Sequence, residues 1–251
     1  MKSIFIIPII LVLVLKTSTA QFKIPQVIKE AANLVKPDNP SPAEIGSAIK
    51  EALEIGISAG ADRLSIANGF LGNDAVKLLF PPEAKKLEKT LRSLGMNKAC
   101  DDFILSVNRA AELAAKEAKP IFISALKEMS IQDAQNILLS KQKNAATSYF
   151  QRVTGAALRS KFQPIIQASL AKTETTRYWT DLSTKYNQIP LASKINTDLS
   201  DYATQKAMEG LFHEIEQEEL KIRQNSAFRS SPLLKKVFGY SDSGLDPKLN
   251  E

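Results

Sequence analysis

The sequence predicts an all-α fold, a single compact domain of about nine or ten helices. Three observations predict it. Apolar residues recur every three or four positions along most of the chain, strand-like alternation is nearly absent, and Ser, Pro and Gly stand where helices would begin and end. One short extended segment, near residues 76–80, is the exception.

Gln26–Lys36 is a short amphipathic segment, closed by a run from Pro37 to Pro42 whose prolines make a stiff linker or turn. Ser41-Pro42-Ala43-Glu44 then has the residues of a capping box with proline in the first turn. Ile45, Ile49, Leu53, Ile57 and Leu64 carry that helix to about Ala67. Gly69-Phe70-Leu71-Gly72-Asn73 interrupts: Gly69 ends the helix, Gly72-Asn73 turns the chain, and Val76–Phe80 crosses the core extended, as a residue before proline prefers. The alternative for this loop is that it presents Phe70 to a partner. Helix resumes over Glu83–Leu94 and stops at Gly95.

Asn97 is expected to cap a helix to about Lys119, with Phe103, Val107, Ala110, Ala114 and Ala118 on one face. Pro120 restarts a helix through Met129, and Ser130-Ile131-Gln132-Asp133 opens another that ends near Leu139. Ala145–Val153 and Gly155–Lys172 read as two pieces with Thr154 as the cap between them and Pro164 kinking the second. Glu174–Tyr186 carries the single tryptophan, Trp179. A long helix over Leu199–Gln224, a short one over Pro232–Phe238 and a flexible tail at 241–251 complete the chain.

The N-terminus has the layout of a secretory signal over residues 1–20: Lys2, an apolar run Ile4–Leu15, then Thr17-Ser18-Thr19-Ala20. The run is shorter than the ~20 residues of a membrane span. Cleavage near Ala20 leaves residues 21–40 as a leading helix and linker, an all-helical domain over 41–240, and no transmembrane span; an uncleaved anchor is the alternative. Cys100 is the only cysteine, so no intramolecular disulfide forms and the core must hold the fold. The formal charge of +6 falls to +4 once Lys2 and Lys16 leave. Nucleic acid is a poor match for so mild a charge without base-stacking aromatics, whereas an anionic lipid, an envelope polymer or another envelope protein remains open as partner.

The chemistry-bearing residues are few. No phosphate-cradling Gly-Lys-Ser/Thr motif follows the glycines. His213 is the only histidine, falls off the apolar stripe of its helix, and reads as solvated; neither a metal nor a cofactor is expected. Cys100, beside Asp101 and Asp102, reads as a packing residue, and those aspartates as first-turn charges opposing the helix dipole. Glu112 reads as one half of an i,i+4 pair with Lys116. The local anomaly is Glu219, which helical geometry puts at the centre of the Met208, Leu211, Phe212, Ile215, Ile222 stripe. A carboxylate there needs a cation, and Arg223, one turn on, and Arg109, at long range, are the candidates. Two readings stay open: a buried ion pair that fixes register, or a ligand-facing acid. Lys85, Lys86, Lys89, Arg92 and Lys98 form a basic cluster, a solvated helix face or a contact for anionic lipid or polymer.

These residues resemble the bacterial family catalogued as domain of unknown function 4197. The resemblance rests on Gly69–Asn73, Leu94-Gly95-Met96, Asn108–Glu112, Met129-Ser130 with Asp133-Ala134, Ala145–Thr147 with Tyr149-Phe150, Gly210–Phe212, Glu218-Glu219 with Ile222-Arg223, and Leu234–Gly239. It covers about residues 41–240. Asp74-Ala75 departs from the expected Pro-Ala, which bears on turn rigidity. The resemblance implies an exported bacterial protein and supplies no activity or catalytic residues. The expected function is a non-catalytic binding or scaffold module in the periplasm or cell envelope. The alternatives are a carboxylate-only hydrolase using Glu219 with Asp101 or Glu112, and a carrier with an enclosed apolar cavity.

Overall fold

Ser41 begins the first long helix as the sequence anticipates: its hydroxyl accepts from the Glu44 N–H and the Glu44 carboxylate accepts from the Ser41 N–H. The computed structural model describes residues 39–243 apart from Glu174, Ile189 and 191–193. The expected signal, residues 21–38 and the tail beyond Ser243 lie outside the described residues.

The elements are α1 (Pro42–Ser65), a 3-10 turn (Pro82–Ala84), α2 (Lys85–Ser93), α3 (Asn97–Ala115), α4 (Ala118–Glu128), α5 (Ile131–Leu139), α6 (Ala145–Leu170), α7 (Thr175–Asn187), α8 (Leu199–Gln224), a second 3-10 turn (Ser226–Phe228) and α9 (Pro232–Asp242). Strands are absent among the described residues, so the fold is all-α. Lys116 and Glu117, between α3 and α4, keep right-handed helical dihedrals. Asn97–Glu128 is therefore one helical body, and the described residues hold eight such bodies rather than nine or ten.

α1, α3, α6 and α8 pack together as the centre, α5 and α9 close against α1, and α4 bridges α1 to α6. α6 shows why these helices bury what they do: Ala146, Phe150, Thr154, Leu158, Phe162, Ile166 and Leu170, spaced by four, form one buried stripe. Phe122 meets Phe150 and Phe212 edge-on, with ring centroids 5.7 and 5.8 Å apart. α3 is buried on two faces, the expected one and a second made by Asn108, Ala111, Glu112 and Ala115. At the periphery, α2 packs mainly on α3, and α7 rests on α3 and α8.

Four expected boundaries are corrected. α6 runs unbroken through Thr154, whose hydroxyl donates 2.6 Å to the Phe150 carbonyl within the helix instead of capping a new one. Pro164 sits inside that helix. Asn97 is the first residue of α3, not its cap, and the position before it, Met96, makes no side-chain cap bond. The joint expected at Pro120 lies at Lys116-Glu117, with Pro120 absorbed into the first turn of α4, where a missing N–H costs nothing. α9 continues through Asp242, so the start of the expected tail is helical; Asp242 accepts from the Arg229 guanidinium at 2.7 Å.

The glycine-flanked loop follows the connector reading. Leu78 and Phe80 are buried while Leu79 between them is exposed, the alternation of an extended passage. The expected start at Val76 is also corrected, because Val76 and Lys77 still donate back to the Asn73 carbonyl in a turn, at 3.1 and 2.9 Å. Asn108 clamps that passage: its amide oxygen accepts from the Leu78 N–H at 2.9 Å and its nitrogen donates to the Leu78 carbonyl at 2.7 Å. Asn68 takes the left-handed turn at φ 66°. Gly69 is required for a different reason: a Cβ there would lie 2.4 Å from the Arg63 carbonyl oxygen.

Candidate functional site

Among the described residues two regions carry chemistry: a charged seam between α1 and α8, and an open cleft beside α3. The seam begins with Gly56 and Gly60 of α1. A Cβ at either would come 3.1 Å from the Glu218 Cβ and 3.4 Å from the Glu214 Cβ, so the glycines let α8 approach closely. Glu214 and Glu218, one turn apart on α8, then both reach Arg63: Glu214 through Nη1, and Glu218 through Nη2 at 2.7 Å. Asn73 donates to the other Glu214 oxygen at 2.8 Å, which ties the loop to the seam, and Lys221 donates to Glu218 at 2.8 Å. Burial pushes the Glu218 carboxyl up, but the hydrogen bonds from Lys221 and Arg63 outweigh it and hold the group below the ordinary carboxylate value.

Glu219 is buried and paired with Arg223, whose Nε donates at 2.8 Å. Its second role was not foreseen. The carboxylate also accepts from the Ala146 N–H, the Thr147 N–H and the Thr147 hydroxyl, each at 2.9 Å. It therefore caps the N-terminus of α6, where Asn144 makes no side-chain cap bond. Arg223 donates onward to the Ile137 carbonyl at 2.8 Å, linking α5, α6 and α8. With four donors on two oxygens, Glu219 is committed to backbone and cation and has little capacity for a substrate.

Arg109 does not reach Glu219; this expectation is corrected. Its Nη1 donates to Glu112 at 2.6 Å and its Nη2 to Asn68 at 2.8 Å. Glu112 is not paired with Lys116 but is buried, and its other oxygen accepts from the Phe70 and Leu71 N–H groups, both at 3.2 Å. The carboxylate thus holds the apex of the glycine-flanked loop, which no local pattern around Glu112 announces beyond the alanines of α3's second face. Phe70 is fully buried, which corrects its reading as a surface contact: its ring sits where a Cβ on Gly210 would be, 2.7 Å from Cε1.

The basic cluster divides. Arg92 is committed to Glu88 at 2.9 Å and Asp101 at 3.0 Å, and Lys98 to Asp102 at 2.6 Å. Lys85, Lys86 and Lys89 are exposed and form no ion pair among the described residues. α3 starts at Asn97, so Asp101 and Asp102 lie in its second turn, and pairing rather than the helix end explains them.

The cleft lies between α2, α3, the end of α6 and α7, with a volume of about 860 Å³. Phe80, Phe103 and Trp179 form an aromatic floor, with the first two rings stacked 4.1 Å apart and Trp179 5.2 Å from Phe103. Trp179 is fixed by a 3.1 Å bond from its indole N–H to the Asn196 carbonyl. Leu87, Leu91, Met96, Leu105 and Leu182 supply apolar walls, and Asp102, Ser106, Arg109, Asp181 and Lys185 supply polar groups of both signs. Cys100 is in the wall; burial pushes its thiol above the ordinary value, the opposite of an activated nucleophile. By contrast the space beside Glu219 and Arg223 is only about 20 Å³, room for one water. The sequence reading missed the cleft. Its local trace is the single tryptophan on α7, with Leu182 one turn on.

Among the described residues no three His, Cys, Asp or Glu side chains group to hold a metal ion, and no helix is long and apolar enough to cross a membrane. No curated protein and no solved structure matches the chain. A family model described as "Protein of unknown function (DUF4197)" matches residues 39–239, which include both the seam and the cleft, and the chain belongs to that family.

Proposed function

We propose that this domain is a non-catalytic binding module of the bacterial envelope, and that its ligand is an amphiphile held in the cleft. The observation that carries the reading is a preformed space of about 860 Å³ with an aromatic floor, apolar walls and a few polar groups. That is the size and lining expected of a small-molecule site. The apolar body of the ligand would lie on Phe80, Phe103 and Trp179, and its head would meet Arg109, Lys185 or the two aspartates. Envelope residence rests on the signal-like residues 1–20.

The carboxylate-hydrolase alternative draws no support from its named residues. Glu112 and Glu219 are saturated by backbone and cation donors. Asp101, the other acid named beside Glu219, is exposed and accepts from Arg92 at 3.0 Å.

Trp179 is the only tryptophan and lines the cleft, so its fluorescence reports on this site alone. Titration with a bromine-labelled fatty acid, a contact quencher, is expected to quench it saturably at one equivalent. Leu105→Arg should weaken the effect. Unsaturable quenching, or none below the concentration at which the probe forms micelles, would refute the reading.

A further inference from the structure

We infer that the lysine face of α2, with the turn that follows it, is a docking surface for an anionic lipid bilayer. Three observations meet on this helix and its terminal turn. Lys85, Lys86 and Lys89 project from α2 into solvent without an ion pair among the described residues, whereas Arg92, on the same helix, is held by Glu88 and Asp101. Immediately after α2, the turn at Gly95, with φ +82°, holds Leu94 and Met96 outward at 70% and 43% exposure. Met96, with Leu87 and Leu91 of α2, also lines the cleft. Uncommitted cations, two exposed aliphatic side chains and the cleft wall therefore share one short helix and its terminal turn.

Each part suits the membrane interface. Lysine ammonium groups attract anionic headgroups, and Leu94 and Met96 would enter the boundary between headgroups and acyl chains. Nucleic acid would reward the lysines but not the aliphatic tip. α2 packs mainly on α3, so seating it on a bilayer disturbs little of the central packing. The leucines of α2 that line the cleft lie about 180° round the helix from the lysines, so the docking contact stands independently of the proposed function.

The test is flotation of the full chain, as purified from its host, with vesicles of phosphatidylglycerol and phosphatidylcholine or of phosphatidylcholine alone. Each lysine near an anionic surface contributes roughly fivefold, so Lys85→Glu, Lys86→Glu and Lys89→Glu together should weaken binding to the anionic vesicles on the order of a hundredfold. Raising salt should act in the same direction. Leu94→Ser with Met96→Ser should weaken binding while leaving its salt dependence. Trp179 quenching by a soluble brominated amphiphile should be unchanged in the lysine variant. Equal binding to both vesicle types, or binding to the anionic ones that ignores the lysine variant and salt, overturns the docking proposal. A lysine effect without any Trp179 quenching upholds docking and removes the amphiphile reading alone.

Discussion

The α1–α8 seam and the cleft are built from opposite materials. At the seam Arg63 joins Glu214 to Glu218, and the other buried carboxylates are likewise satisfied several times over: Glu219 caps α6, and Glu112, on α3, holds the Phe70-Leu71 backbone. Arg229 completes the set at the far end of α8, donating to the Ile222 and Arg223 carbonyls at 3.1 and 3.0 Å. At the cleft, apolar and aromatic side chains face open space. The difference separates two uses of side chains. A buried charge with all its valences taken by helix ends and loop backbone specifies structure; an apolar surface left uncovered is available for binding.

The comparison breaks first at Glu219. Glu219→Ala strands Arg223 and the first N–H groups of α6, and should cost about 3–5 kcal/mol, the range for removing one partner of a buried pair. Urea denaturation measures it, and a loss below about 1 kcal/mol would contradict the capping role. Asn108→Ala leaves the Leu78 N–H and carbonyl unpaired, for an expected cost of about 2–3 kcal/mol. Gly210→Ala drives a methyl into the fully buried Phe70 ring, at about 1–3 kcal/mol.

Acid should loosen the seam side as well. The Lys236 hydrogen bond, with the Ser41 backbone and hydroxyl, lowers the Glu44 carboxyl to about 2. Asp198, the cap of α8, is raised by burial but lowered further by its bonds from Ser200 and Asp201, and ends below its ordinary value, as Glu218 does. A depressed folded value means stability that is complete above the ordinary carboxylate range and lost as pH falls through the folded one. Thermal melts should therefore show the melting temperature dropping from about pH 5 towards pH 2, and Glu218→Gln should flatten that limb. The smallest stability effects belong to the cleft. Leu105→Ser and Tyr178→Ala, at exposed positions, should change stability by less than about 0.5 kcal/mol while reducing amphiphile affinity.

Much of the helical order was legible because caps are local. Ser41-Glu44 and Ser130-Asp133 both form the reciprocal boxes their spacing implies, and α8 spans the expected Leu199–Gln224. Glu219's burial and its Arg223 partner were legible from helical angle alone. Its bonds to Ala146 and Thr147 were not, because they join residues more than seventy positions apart. The same limit hid Glu112's hold on the loop and misassigned Phe70. Thr154 was misread as a cap because a threonine beside Gly155 has the composition of a helix start, yet its hydroxyl bonds back within α6. The cleft depends on how α7 sits against α3, which no periodicity encodes.

Hydrogen exchange with and without a fatty acid tests the division most directly. The account predicts that amides of α1 and α8 are the slowest in the free protein and indifferent to the ligand, while those of α2 and α7 exchange faster and slow down when it is added. Ligand-induced protection along α1 and α8 with none in α2 or α7 would contradict it.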